Sequence, residues 1–199
     1  TESMSLAGIT RNDISVGLDK DRNIRYYATP TPGGENVQGF ETADQIGCFD
    51  NTGIFISEVS AVGELKSGDN DWIELHNGSD QPVDLSGWTI ADGADAKSVY
   101  TFAGETIGAG DYLVLECTNA PTKQGAGIAP FSISAAGETI VLKNPEGLLT
   151  DAFETGVLTS DITSGRIEGD TSIARVFFES PTRGGKNNDD ITIGVAPQP

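Results

Sequence analysis

Histidine occurs once and cysteine twice in the 199 residues, and each scarcity closes off a kind of chemistry. A structural zinc site takes four Cys or His ligands, and Cys48, His76 and Cys117 fall short of that number. The two cysteines stand too far apart for a CxxC redox or metal motif. Two readings remain, a disulfide in an oxidising compartment or a pair of quiet thiols. His76 allows one Ser-His-Asp arrangement at most, and no G-x-S-x-G elbow seats the serine. Neither G-x-x-x-x-G-K nor a complete G-x-G-x-x-G occurs, so no loop is built to cradle phosphate. No catalytic, cofactor-binding or metal-ligating residue is expected, and the chain is read as not an enzyme.

Positive charge is equally scarce. Twelve Lys and Arg face 30 Asp and Glu, a formal net charge of −18 at pH 7. A phosphate backbone needs a basic stripe, so nucleic acid is excluded as a partner, and an anionic membrane face is disfavoured for the same reason. No apolar run approaches the roughly 18 residues of a spanning helix, so membrane insertion is not expected. The chain opens without a charged-then-apolar signal segment. What is present is 37% hydrophobic residues and 25 glycines, which argues against a disordered polyanion and for short strands joined by tight turns.

From residue 54 onward the apolar pattern has period two and breaks every eight to twelve residues or so at Gly, Pro, Asn or Asp, the mark of a β-sandwich. Strands are predicted over 54–59, 72–76, from 85 to the Asp92-Gly93 turn, and over 99–102, 112–117, 139–142, 148–153 and 173–178. The almost wholly apolar run 139–142 belongs in the middle of a sheet. Residues 157–162 could carry one helical turn. Asn77-Gly78-Ser79 reads as a hairpin turn with positive φ rather than as a used glycosylation sequon. Trp72, Trp88, Phe102, Tyr112 and Phe131 are expected as core anchors. His76, in Trp72-Ile73-Glu74-Leu75-His76-Asn77, is expected on the strand face opposite Ile73 and Leu75.

The two ends of the chain repeat one another. Asp13-Ile14-Ser15-Val16-Gly17 is followed, after Tyr26-Tyr27, by Thr29-Pro30-Thr31-Pro32-Gly33-Gly34-Glu35-Asn36. Asp161-Ile162-Thr163-Ser164-Gly165 is followed, after Phe177-Phe178, by Ser180-Pro181-Thr182-Arg183-Gly184-Gly185-Lys186-Asn187. From Gly17 to Pro30 is 13 positions and from Gly165 to Pro181 is 16, a difference one loop absorbs. Residues 1–49 are therefore expected to be the terminal strand and exit loop of a preceding copy plus a linker. Residues 50–190 are expected to form the sandwich and 191–199 a C-terminal linker.

The sandwich segment resembles the lamin tail domain family. The resemblance runs from Ile54 to about Asn187. It rests on Ile54-x-Ile56-x-Glu58-Val59, Asp71-Trp72-Ile73-Glu74-Leu75-x-Asn77 and Val83-Asp84-Leu85-Ser86-Gly87-Trp88. Further on come Ile107-x-Ala109-Gly110-x-Tyr112-Leu113-Val114, Gly137-Glu138-x-Ile140-x-Leu142, Ser164-Gly165-Arg166 and Pro181-Thr182-x-Gly184. It implies an all-β, immunoglobulin-like β-sandwich. Arg183 departs from it, since the family and the upstream copy (Pro32) favour a second proline. In nuclear lamins the domain is an interaction module, but this chain has neither the coiled-coil heptads nor the basic flank of that setting. The resemblance instead implies a bacterial secreted or surface protein, with an extracellular or cell-surface location.

Two features remain as candidates for chemistry. Glu58 and Glu74 sit at matching places in adjacent strands, and general acid–base work would need them close together in a cleft. A solvated or backbone-bonded role is the expectation for both. Asp69-Asn70-Asp71, Asp92 with Asp95, and Asn187-Asn188-Asp189-Asp190 are oxygen-rich loops that calcium could use, but none follows the EF-hand pattern and all are ordinary turn formers. The expectation is thus a non-catalytic binding or scaffold module, whose partners are a protein or neighbouring copies of the same domain, with two readings open for the N-terminal arm: packing on its own sandwich, or pairing with a neighbouring chain in a homo-oligomer. The alternative is an accessory module that targets a linked enzyme to polysaccharide or the cell envelope. Tyr26, Tyr27, Phe177 and Phe178 are the few aromatics that could face a sugar.

Overall fold

The computed structural model describes residues 15–27, 31–34, 36, 39, 53–61, 70–93, 96–120, 122, 125–159, 161–169 and 175–193. Every regular element among them is a strand. The chain divides into two units, residues 1–48 and 49–199.

The first unit contributes β1 (Ser15–Leu18) and β2 (Ile24–Tyr27), an antiparallel hairpin in which Ser15 faces Tyr27 and Gly17 faces Arg25. Asp19 shapes its turn, because its Oδ1 accepts the amides of Asp21 and Asn23. Those hydrogen bonds, that of the Asn23 amide foremost, hold the Asp19 carboxyl below its ordinary range. Beyond the hairpin, the Gly34 amide donates to the Thr31 carbonyl, with Gly33 at φ +77°. That is a type II turn, whose third position needs positive φ and so takes glycine.

In the second unit the large sheet contains β3 (Ile54–Ser60), β4 (Asp71–Asn77), β9 (Tyr112–Cys117), β10 (Ile128–Ala129), β13 (Thr163–Gly165), β14 (Val176–Phe178) and β15 (Ile191–Ile193). Their order is β10-β9-β4-β3-β13-β14-β15, antiparallel except for β10 on β9. The smaller sheet holds β6 (Thr89–Ala91), β7 (Val99–Thr101), β11 (Thr139–Lys143) and β12 (Leu149–Glu154) in the order β12-β11-β6-β7. The pair β5 (Val83–Asp84) and β8 (Thr106–Ile107) stands apart. As expected, the apolar run of β11 is interior, flanked by β12 and β6.

The core joins Ile56, Val59, Ile73, Leu75 and Leu115 of the large sheet to Ile90, Ile140, Leu142 and Phe153 of the small one. Strand alternation would put Ile56 and Val59 on opposite faces, since three positions separate them. The register slips between Ile56 and Glu58, so that Ile56 faces Leu75 while Glu58 faces Glu74, and Ser57 is the extra residue of a β-bulge. The bulge returns Val59 to the core and throws Glu58 to the outer face.

Several sequence expectations need correction. Neither Asn77 nor Gly78 takes a positive φ, so the pair makes no primed hairpin turn. Asn77 is instead wholly buried, its Nδ2 donating to the carbonyls of Gln81, Ile107 and Gly108 and its Oδ1 accepting the Ser79 amide. A side-chain amide committed in that way ties the turn, and its buried Nδ2 is not presented for covalent attachment of a sugar. Ile191–Ile193, read as linker, pairs with β14 and widens the sheet. Phe102 and Phe131 lie in the core and Trp88 packs partly against it, but Trp72 and Tyr112 lie on the outer face of the large sheet. The helical turn expected over 157–162 is not among the described elements; the Ile162 amide on the Thr159 carbonyl, with Asp161 at φ +65°, closes a non-helical β-turn there. The Asp84-Leu85-Ser86-Gly87 bend forms as read, Asp84 Oδ1 accepting both the amide and the hydroxyl of Ser86.

Candidate functional site

A bulge leaves backbone groups without ladder partners, and buried ones must find others. Three side chains from distant parts of the chain supply them here. Asp151, on β12 of the small sheet, accepts the Ile56 amide at 2.8 Å. Arg166, just past β13, donates from Nη1 to the Ile56 carbonyl at 2.8 Å, and its own amide donates to the Ser57 carbonyl. Asn187 Nδ2 bridges the carbonyls of Ser57 and Arg166 at 3.0 and 2.8 Å. Arg166 also grips Asp151 with both terminal nitrogens, at 2.5 and 2.9 Å, and its guanidinium lies 4.7 Å from the centre of the Phe153 ring. This two-pronged, buried ion pair ties the large sheet to the small one beside the bulge.

On the outer face the carboxylates of Glu58 and Glu74 stand in register and are fully buried. The cover is the exit loop that leaves β14. Glu58 accepts the Thr182 amide at 3.1 Å, the Thr182 hydroxyl at 2.7 Å and the Thr163 hydroxyl. Glu74 accepts the Ser57 hydroxyl at 2.6 Å and the Gly184 amide at 2.5 Å. Between these anchors the loop makes a type II turn, the Gly185 amide on the Thr182 carbonyl with Gly184 at φ +86°. Burial raises both carboxyls, and Glu74, further raised by the neighbouring Glu58, reaches about 7 despite its hydrogen bonds. The pair is therefore backbone-bonded, as one of the two sequence readings had it, and not solvated. Acid–base chemistry needs substrate access, whereas these carboxylates face loop amides and hydroxyls.

Gly165 lets the chain close this tightly. A Cβ there would stand 2.2 Å from the Ser57 carbonyl oxygen and 2.9 Å from the Phe178 ring. Ser164-Gly165-Arg166 and Pro181-Thr182-x-Gly184, visible in the sequence as motifs, are thus the residues that pack on and pin the bulge. The roles of Asp151 and Asn187 were not anticipated. Asn187 was marked by its recurrence as Asn36 in the upstream copy and by its place in an oxygen-rich loop, neither of which pointed to the bulge.

The other candidates are accounted for locally. His76 lies opposite Ile73 and Leu75 as expected, stacked on Tyr112 at 4.3 Å and edge-on to Phe55 at 5.1 Å. The Tyr112 hydroxyl donates to Glu168. Trp72 is covered by Arg183, which also pairs with Glu116 at 2.7 Å. Cys117 is a free and buried thiol whose ionisation burial pushes up, and Cys48 lies outside the described residues. Among the acidic clusters, Asn70 donates to Glu116 and Asp71 accepts the Ile133 amide. Asn188 donates to the Ser180 carbonyl while its Oδ1 accepts the Asp190 amide. Asp69 and Asp95 lie outside the described residues. No group of three or more His, Cys, Asp or Glu among the described residues is placed to hold a metal ion.

The family model described as Lamin Tail Domain matches residues 49–156, more than half of the chain. No curated protein matches it.

Proposed function

The chain belongs to the lamin tail domain family, an immunoglobulin-like and non-enzymatic class of module, and from that premise we propose a non-catalytic binding or scaffold role within a larger secreted or cell-surface bacterial protein. Its partners are a protein or neighbouring copies of the same domain, met through strand edges and loops. The observation that carries this reading is the fate of Glu58 and Glu74, the one carboxylate pair in register among the described residues. Both are committed to holding the exit loop against the sheet, so the most distinctive polar chemistry of the second unit is architectural. An acidic surface keeps such a module soluble and repels phosphate-rich partners.

The test is retention of the labelled full chain on bacterial cell envelopes, with and without prior protease treatment of the envelopes. Retention that protease abolishes supports a protein partner. Retention that survives protease and is competed away by soluble polysaccharide overturns it in favour of targeting to polysaccharide.

A further inference from the structure

Asn77-Gly78 is the one Asn-Gly pair in the sequence. Asparagine is a chemically labile side chain, and it is most labile before glycine, whose amide nitrogen no side chain shields. In an unfolded chain that nitrogen gives up its proton and bonds to the asparagine Cγ. The bond from Cγ to the side-chain nitrogen breaks, and that nitrogen takes up a proton and leaves as ammonia. Water then opens the resulting succinimide ring at one carbonyl or the other. The product is aspartate or, with one extra carbon in the backbone, isoaspartate.

The groups this reaction needs are held elsewhere in the folded chain. The Gly78 amide, the attacking group, donates to the Gly53 carbonyl at 3.0 Å. On the other edge of the same peptide, the Asn77 carbonyl accepts the Gly110 amide at 2.9 Å. A peptide bonded on both edges is not free to turn its nitrogen toward Cγ. Asn77 Nδ2, the leaving group, donates to the carbonyls of Gln81, Ile107 and Gly108 at 2.8, 3.0 and 3.0 Å. Oδ1 accepts the amide and the hydroxyl of Ser79 at 3.0 and 2.6 Å. The residue is wholly buried, which keeps away the water that must open the ring.

The same bonds make the product a misfit. A carboxylate only accepts hydrogen bonds. Aspartate at 77 sets a buried negative charge against three carbonyl oxygens and leaves those carbonyls without their donor. Isoaspartate also lengthens the backbone between the Ile54–Asn77 pair of β3 and β4 and the Gly78–Gly53 hydrogen bond, so the two cannot both close. The end of β4, the approach to β5 and the turn between β8 and β9 all meet at this one amide, so the damage reaches well beyond a surface turn.

We propose that Asn77 is a modification site gated by folding: the native second unit silences it, and a unit left unfolded deamidates there and is barred from refolding. Unfolding of the module is then reversible only within the lifetime of one side-chain amide.

The full chain is held in denaturant at mildly alkaline pH beside a native sample in matching buffer, and peptide mass mapping follows conversion at Asn77 in both. Aliquots are diluted to refold, and folded chains are separated from the rest. Conversion in the native sample should be slower by at least about tenfold, since it must await opening of the 77–81 turn. The refolding fraction of the denatured sample should fall in step with conversion, and the folded chains should carry the intact amide. Gly78→Ala shields the attacking nitrogen at a position that needs no positive φ, so it should slow conversion in denaturant and preserve refolding. If that variant does not fold, the partition of converted and intact wild-type chains between the two fractions decides alone. Native conversion as fast as in denaturant overturns the proposal. So do converted chains that regain the wild-type melt, or a Gly78→Ala chain that loses refolding at the wild-type rate.

Discussion

Thr31, Gly33, Gly34 and Asn36 build one turn in the first unit, and Thr182, Gly184, Gly185 and Asn187 build the same turn in the second. Among the described residues, only the second rests on two buried carboxylates and a bulged strand. The comparison separates what the loop's own sequence dictates from what its surroundings add. Glycine at positive φ and a threonine–asparagine contact suffice to shape the loop, since both copies have them. Burial of Glu58 and Glu74 is a property of the assembled sandwich. Carboxylates at those positions would otherwise lie on a strand's solvent face, and the loop covers them and supplies the donors that make their burial tolerable.

The largest expected effect comes from giving the second copy the residue of the first. Arg166→Leu puts the Leu18 side chain type beside Asp151 and leaves a buried carboxylate without its guanidinium. Removing one partner of such a pair typically costs about 3–5 kcal/mol. Denaturant unfolding of the full chain should show a loss of that order. Arg166→Leu with Asp151→Asn should recover most of it, because Asn keeps an oxygen for the Ile56 amide without the charge. A single variant with wild-type stability would mean that the ion pair does not secure the bulge.

The paired carboxyls raise a pH dependence in the second unit, whereas in the first unit the hydrogen bonds on Asp19 hold its carboxyl the other way, below its ordinary range. Burial raises Glu74 from its ordinary 4.5 to about 7, and Glu58 moves the same way. Between those pH values the folded chain holds a proton that the unfolded chain has released, so stability falls as pH rises through that window and is fully present only below it. A shift of that size corresponds to about 3 kcal/mol. The melting temperature of the full chain should therefore be higher at pH 5 than at pH 8, and Glu74→Gln should flatten the slope. By hydrogen exchange corrected for intrinsic rates, the amides of β13 and β14 should follow the pH trend while those of β1 and β2 do not. Equal pH trends in the two hairpins would detach the effect from the carboxylate pair.

The same comparison shows where sequence reading reached and where it stopped. Period-two patterning located most of the strands of the sandwich, because alternation is a local property of each run. The repeat of Gly17 in Gly165 and of Asn36 in Asn187 marked the exit loop before any fold was known. The bulge was also written locally, in the three-residue step from Ile56 to Val59 where alternation demands two, yet a slipped register is legible only once both strands are paired. Asp151 and Arg166 could not be joined from sequence, because their contact crosses from one sheet to the other. Asn77-Gly78 misled for a related reason. The dipeptide favours a primed turn in isolation, but the carbonyls of Ile107 and Gly108, brought near by tertiary structure, claim the Asn77 side chain.

The smallest expected effect comes from the one position where the two four-residue type II turns, 31–34 and 182–185, differ in sequence. Arg183→Pro gives the second loop the Pro32 of the first, at the second place of a type II turn where proline's fixed φ is suited. The substitution removes the Arg183–Glu116 pair, whose side chains are 41% and 40% exposed, and the guanidinium over Trp72. Exposed pairs contribute about 0–1 kcal/mol, and an exposed cation over an aromatic ring about 0.5–1 kcal/mol. Proline at a compatible site returns about 0.4–1 kcal/mol by restricting the unfolded chain. These terms nearly cancel, so unfolding should move by less than about 1 kcal/mol, while Trp72, uncovered, should emit at longer wavelength. A substantially larger loss with unchanged emission would mean that Arg183 holds the loop in a way the first copy never needed.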